Sequence, residues 1–167
     1  MLPNIRKYRA GSREGVRTSD GVELLSMMKE FFASPAVLHN VPESHFERTL
    51  QELEGGSPYL DVYIFETCDG LSQNGDVANT RIAGYGAVTK TYSNEAGGLC
   101  FWFDEIYVRK EFRGQGLGTA FIRQVIAEHP EVKRFRLETE PENEAAVRLY
   151  KKLGFEPLEY CQWTLDR

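Results

Sequence analysis

Three glycines at alternate positions, Gly114, Gly116 and Gly118, lie inside the run "FDEIYVRKEFRGQGLGTAFIRQ" (103–124). An apolar strand-like stretch precedes them and a segment with helical apolar spacing follows. Glycine loses more conformational freedom on ordering than any other residue, so such a cluster at an element boundary marks main chain that must approach something closely. With side chains absent, successive N–H groups can converge on one concave space. A helix starting there adds the positive end of its dipole. Together these make an anion site, and phosphate is the usual occupant. Arg113 places a cation at the same point.

The setting narrows the kind of phosphate. No GxxxxGK[ST] occurs, which excludes a Walker A loop. The dinucleotide fingerprint G-x-G-x-x-G is not met either, because the third glycine comes one residue early. That fingerprint also belongs to an opening βαβ unit, whereas this loop lies late in the chain.

Hydrophobic periodicity sets the frame around the loop. One strand is expected within residues 4–17. Leu24, Leu25, Met28, Phe31 and Phe32 recur at helical spacing, predicting a helix capped by Asp20 and ending at Ser34 before Pro35. Ser44 and Glu47 form a capping box for a second helix, which carries Phe46, Leu50 and Leu53 up to Gly55. The period then changes to two. Strands are predicted over 59–67, 81–93 and 99–108, the last two joined as a hairpin by "NEAGG". A helix over 116–128 and a strand over 134–139 follow. A helix over 143–153 has Asn143 as N-cap and Gly154 as its left-handed stop, and a strand over 158–166 comes last. The expected fold is mixed α/β, a mostly antiparallel central sheet of six to seven strands flanked by helices. It forms one domain over 1–167, of which 1–15 can be an irregular extension.

Bulk properties exclude several classes. The net charge of −5 argues against a nucleic-acid partner, which would call for a basic face. Arg6, Lys7, Arg9, Arg13 and Arg17 crowd the start of the chain, but without an apolar face they read as solvated surface rather than a targeting segment. No apolar run approaches ~18 residues, so no membrane span is expected. Cys68, Cys100 and Cys161 are odd in number and far apart, which fits reduced thiols in a cytoplasmic protein. His39, His45 and His129 are scattered too, and no metal is expected.

The motif Arg113-Gly114-Gln115-Gly116-Leu117-Gly118 resembles the R/Q-x-x-G-x-G/A pyrophosphate loop of the GNAT superfamily, the acyl-CoA-dependent N-acetyltransferases. The strand "DEIYV" before it fits the family's splayed strand. "ENEAAVRLYKKLGF" (142–155) is similar to the family's C-terminal signature through Asn143, Ala146, Tyr150, Gly154 and Phe155. The resemblance is strong over 80–167, weaker over 20–67, and does not reach the first 15 or so residues.

The resemblance implies an N-acetyltransferase that moves the acetyl group of acetyl-CoA, as co-substrate, directly to a primary amine of a small molecule. Arg113, Gly114, Gln115, Gly116, Leu117, Gly118 and Thr119 would hold the pyrophosphate. The main chain of Ile106, Tyr107 and Val108 would pair with the pantetheine arm, and Asn143 would reach the cofactor besides capping its helix. Tyr150 stands where the family places its general acid; by residue pattern alone it is equally a core tyrosine. Asp104 or Glu105 would serve as base, directly or through water. Adjacent strand residues point to opposite faces, so only one is expected to face the acetyl group. The acceptor pocket is expected around residues 34–46, the hairpin tip near Tyr92 and the final strands, with Phe31, Phe32, His39, Trp102 and Trp163 as candidates. A non-catalytic acyl-CoA sensor, or acetylation of a protein amine, stays open at this point, as does a homodimer.

Overall fold

The structure, a computed structural model, describes residues 3–11, 18–35, 37, 40–68 and 80–165. His39 lies outside the described residues. The elements are β1 (Asn4–Lys7), α1 (Ser19–Phe32), α2 (Glu43–Glu54), β2 (Leu60–Cys68), β3 (Thr80–Ser93), β4 (Gly98–Val108), α3 (Leu117–Glu128), β5 (Arg134–Leu137) and α4 (Glu144–Lys152). One sheet of five strands runs in the order β1-β2-β3-β4-β5. Neighbours are antiparallel except β4 and β5, which α3 joins in parallel.

The predicted elements appear with small shifts of boundary, and three details change. The cap of α1 is Thr18, whose hydroxyl accepts from the Gly21 amide at 3.2 Å. Asp20 is instead buried in the first turn, held by the Arg6 guanidinium at 2.6 and 2.9 Å and the Arg9 amide at 3.0 Å. That pairing keeps its carboxyl below the ordinary aspartate range despite the opposing effect of burial. The second helix starts at Glu43, so Ser44 lies in its first turn and makes no cap. The strand predicted over 158–166 is absent: the described residues 158–165 form no regular element and join no sheet. The sheet therefore has five strands among the described residues rather than six or seven.

Two apolar layers cover the sheet. On one face Leu24, Met27 and Met28 of α1 and Phe46, Leu50 and Leu53 of α2 pack on Val62, Ile64, Tyr85 and Tyr107. On the other, Phe121, Ile122 and Val125 of α3 pack on Tyr63, Phe65, Phe101 and Phe103. The α3 layer lies so close that a Cβ at Gly86 would meet the Phe121 ring at 2.3 Å, where neither side can yield cheaply. Gly86→Ala is expected to lower stability by about 1–3 kcal/mol, the usual effect of overpacking a core. Chemical denaturation read by circular dichroism checks it.

Candidate active site

The site begins with a mismatch between neighbouring strands. Pairing of β3 with β4 slips between Ala87 and Val88: Ala87 faces Glu105, Val88 faces Phe103, and Asp104 is the extra residue. Such a bulge turns the alternation of side chains by one position. Phe101 and Phe103 therefore point into the α3 layer before the bulge, and Ile106 and Val108 pack on that layer after it. Asp104 and Glu105, expected on opposite faces, instead both line one cavity of about 620 Å³ on the α2 side. The rule of strict alternation fails because the bulge sits between the two readings.

A second irregularity lies on the other edge of β4. Its parallel ladder with β5 covers only Cys100–Phe103 against Arg134–Leu137. From Asp104 onward the β5-facing edge of β4 has no strand partner among the described residues. The slot so formed leads to the glycine loop.

In the loop, Gly114 (φ 76°) and Gly116 (φ 80°) both take the left-handed conformation that side chains disfavour. Gly116 is the N-cap of α3, and among the described residues no side-chain hydrogen bond caps that helix. An added Cβ at either glycine would meet nothing within 4 Å, so open space lies above the main chain. At Gly118, by contrast, a Cβ would lie 3.5 Å from Ile106, where the helix meets β4. Uncapped amides, a helix N-terminus and space above them are what a pyrophosphate requires. These residues fit an acyl-CoA.

The remaining predicted positions divide. Arg113 folds back, its Nε donating to the Val108 carbonyl at 2.9 Å, so that carbonyl is engaged here. The Tyr107 side chain turns away into the α1 layer and donates to Glu30 at 2.7 Å, leaving only its main chain beside the slot. Gln115 is exposed, Leu117 is buried under the loop, and Thr119 lies in the first turn of α3. Asn143 caps α4 by accepting from the Ala146 amide at 3.3 Å. Tyr150 packs half-buried against the α3 layer, edge-on to Phe155 at 6.1 Å. Burial raises its phenol above the ordinary tyrosine range, so it carries its proton at neutral pH.

Glu105 has the most perturbed carboxyl of the site. It is raised to about 7: desolvation pushes it up, a hydrogen bond from the fully buried Tyr85 hydroxyl partly offsets that, and the charge of Asp104 adds to the rise. Asp104 is also raised, by desolvation and then by Glu138. Across the cavity stand Glu52 and Thr49 of α2, and Thr89 and Thr91 of β3. The cavity's one lysine among the described residues, Lys90, is engaged by Asp61 at 2.8 Å.

The aromatic residues named as pocket candidates lie elsewhere. Phe31 and Phe32 belong to the α1–α2 core, Trp102 is stacked by Arg136 at 4.2 Å, and Tyr92 is exposed on the hairpin. Sequence reading missed Thr49, Glu52, Thr89 and Thr91, whose only signal was polar residues on otherwise amphipathic elements.

A sheet splayed beside a glycine-cradled helix N-terminus defines an acyl-CoA-binding α/β fold, and comparison with known proteins agrees. The acetyltransferase (GNAT) family profile matches residues 38–155, and the chain belongs to that family. It is 30% identical over 152 residues to a thialysine N-epsilon-acetyltransferase of Mus musculus, covering 90% of this chain and 86% of that one. An uncharacterized N-acetyltransferase, YobR, of Bacillus subtilis is 38% identical over 124 residues, covering 70% of this chain and 47% of the other. Among solved structures, AAC(6')-Iy in complex with a bisubstrate analogue superposes with a TM-score of 0.71 at 17% identity, covering 100% of this chain and 99% of that one.

Because the folded-state carboxyl of Glu105 sits above its ordinary value of 4.5, ionising it opposes folding. The penalty is absent below pH 4.5, grows between 4.5 and about 7, and is complete above that. Glu105→Gln is therefore expected to raise stability by up to about 2 kcal/mol at pH 8 and little at pH 4. Thermal melts at both pH values read this directly; equal shifts at both would contradict the assignment.

Proposed function

We propose that the protein acetylates a primary amine of a small, cationic molecule in a ternary complex with acetyl-CoA. Glu105 serves as the base and Tyr150 as the acid. The observation that carries this reading is one strand with two open sides: beyond Phe103 the edge of β4 is unpaired, while Asp104 and Glu105 face a cavity. The names of the mouse relative and of the aminoglycoside N-acetyltransferase neighbour both specify amines of small molecules, which supports the acceptor class.

The loop amides of residues 114–118 and the N-terminus of α3 would hold the pyrophosphate, and the main chain of Ile106 and Val108 the pantetheine arm. Engaging the Val108 carbonyl requires the Arg113 side chain to release it, which frees that guanidinium for phosphate. Acetyl-CoA supplies an activated acyl group. Glu52, Asp104 and Glu105 would draw an ammonium into the cavity, and Glu105 would take its proton. The free amine then forms the C–N bond as the C–S bond breaks. Tyr150 gives its proton to the sulfur, and the second proton of the nitrogen restores the phenol through solvent.

Acetyl-CoA is expected to raise the melting temperature of the protein, as any ligand selective for the folded state does. Gly116→Val should fold and lose that shift; a retained shift would reject the loop as the binding site. An amine panel read by release of free thiol would then identify the acceptor. Tight cofactor binding with no release from any amine would count against catalysis.

With the acceptor in hand, Tyr150→Phe should lower kcat by roughly 10²-fold while leaving the acetyl-CoA melting shift unchanged, the pattern of a lost proton donor. Equal losses of rate and binding would return Tyr150 to packing. In the parent protein kcat/KM should rise with pH through a limb near 7, where Glu105 ionises. Tyr85→Phe should move that limb upward, since the lost hydrogen bond favours the carboxylate.

A further inference from the structure

The sheet face that carries the two cavity carboxylates continues past them with charge of the opposite sign. Along β4, Trp102 precedes Asp104 on that face, since Phe101 and Phe103 point into the α3 layer. Thr89 of β3, which lines the cavity, stands directly opposite Trp102. On the other side of β4, Trp102 is in register with Arg136 of β5. Thr89, Trp102 and Arg136 thus make one row across three strands. Ala87, Glu105 and Asp104 make the next row. Glu138, just past β5, lies close enough for its charge to raise the Asp104 carboxyl.

Arg136 is held in place without being neutralised. Its guanidinium lies over the Trp102 ring, 4.2 Å from the ring centroid. Stacking of this kind orients the planar group and leaves the N–H donors on its edge free. Among the described residues Arg136 donates no hydrogen bond and forms no ion pair. Its neighbour Arg134 is by contrast closed by Glu95 at 2.7 Å. A half-buried, oriented fork with no acceptor on it is matched in shape by a carboxylate, which takes two parallel N–H···O bonds.

We propose that the acceptor carries a carboxylate besides its amine, and that Arg136 holds this carboxylate while the amine faces Glu105. The proposal rests on the acetyl-transfer reading and adds a second point of recognition to it. The two rows lie about 7 Å apart along β4, with β5 about 5 Å to the side, so a short methylene chain separates the two ends of the acceptor. A second amine on the same molecule would keep it cationic overall. Opposite charges at the two ends also set its direction. The ammonium enters among Glu52, Asp104 and Glu105, and the carboxylate stays away from them; the reverse orientation brings like charges together. A simple alkylamine satisfies one end only.

The test compares 6-aminohexanoate with 6-aminohexanamide, which differ only in the carboxylate. Trp102 and Trp163 are the two tryptophans of the chain, so the indole N–H resonance of Trp102, assigned with Trp163→Phe, follows each titration. The carboxylate should bind roughly 10- to 100-fold more tightly than the amide, the usual effect of a hydrogen bond between charged groups. Arg136→Gln should erase or reverse that order, because the carboxylates left in the cavity repel an acid. An unchanged circular dichroism spectrum and acetyl-CoA melting shift show that this variant is folded. In acetyl transfer to 6-aminohexanoate, the same substitution should raise KM and leave kcat near its parental value. Equal binding of the two probes, stronger binding of the amide, no binding of either, or a preference that survives Arg136→Gln overturns the proposal. Acetylation of the amide in any of those cases leaves the transfer reading standing. The titrations do not depend on turnover, so a carboxylate preference without thiol release from any amine counts against the transfer reading and not against Arg136.

Discussion

The parallel ladder between β4 and β5 stops at Phe103–Leu137, and the rest of the architecture follows from that stop. A strand whose edge is left unpaired in a folded core must satisfy its peptide groups some other way. Here the unpaired half of β4 leads, past a hydrogen-bonded turn over Lys110–Phe112, to a glycine loop at the N-terminus of α3. A linear ligand with amides at one end and a diphosphate at the other satisfies both parts, acting as a strand along β4 and as an anion at the helix. The bulge at Asp104 supplies the second half of the design. It turns the parity of β4 just where the ladder ends, so side chains before it complete the α3 core and carboxylates at it face the opposite cavity.

In the proposed mechanism, burial is what would fit the Glu105 carboxylate for its role as base. An alkyl ammonium has a pKa of about 10, and an exposed glutamate of about 4.3 would accept its proton only against a gradient of roughly 8 kcal/mol. With Glu105 raised to about 7, that gradient falls to roughly 4 kcal/mol. Desolvation of the ammonium in the same cavity lowers its own pKa and narrows the gap further. Tyr85 opposes part of this effect. By donating to Glu105 it keeps a fraction of the carboxyl ionised near neutral pH, where a fully desolvated acid would stay protonated and inert.

Much of this was legible in the sequence, and for identifiable reasons. The loop was legible because the left-handed conformations at Gly114 and Gly116 restrict residue type directly. The helices and long strands were legible because each buries one face. The disposition of Asp104 and Glu105 was not, because a bulge is a relation between two strands and leaves no period in either one. The cap at Thr18 rather than Asp20 was missed because Asp20 is claimed by Arg6, a partner 14 residues away. The pattern at 158–165 did announce a strand, but a pattern names no partner. Alternation says that a segment can pair, and only the topology says whether an edge is there to receive it.

The two proposed ligand sites differ in what they are made of, and that difference explains why one is readable and the other is not. In the proposed reading, cofactor recognition runs through peptide groups, which every residue carries, and a helix terminus. Sequence is constrained there only where a side chain must be absent, and that absence reads as a fixed glycine pattern. The cavity proposed for the acceptor is lined by residues of α2, β3 and β4. Any of Thr49, Glu52, Thr89 or Thr91 can change without disturbing the backbone that grips the cofactor, because none of them belongs to the slot or the loop. Such a scaffold holds the acyl donor constant while the acceptor wall varies. The carboxylates of Glu52, Asp104 and Glu105, with Lys90 paired to Asp61, would favour a cationic acceptor on this wall.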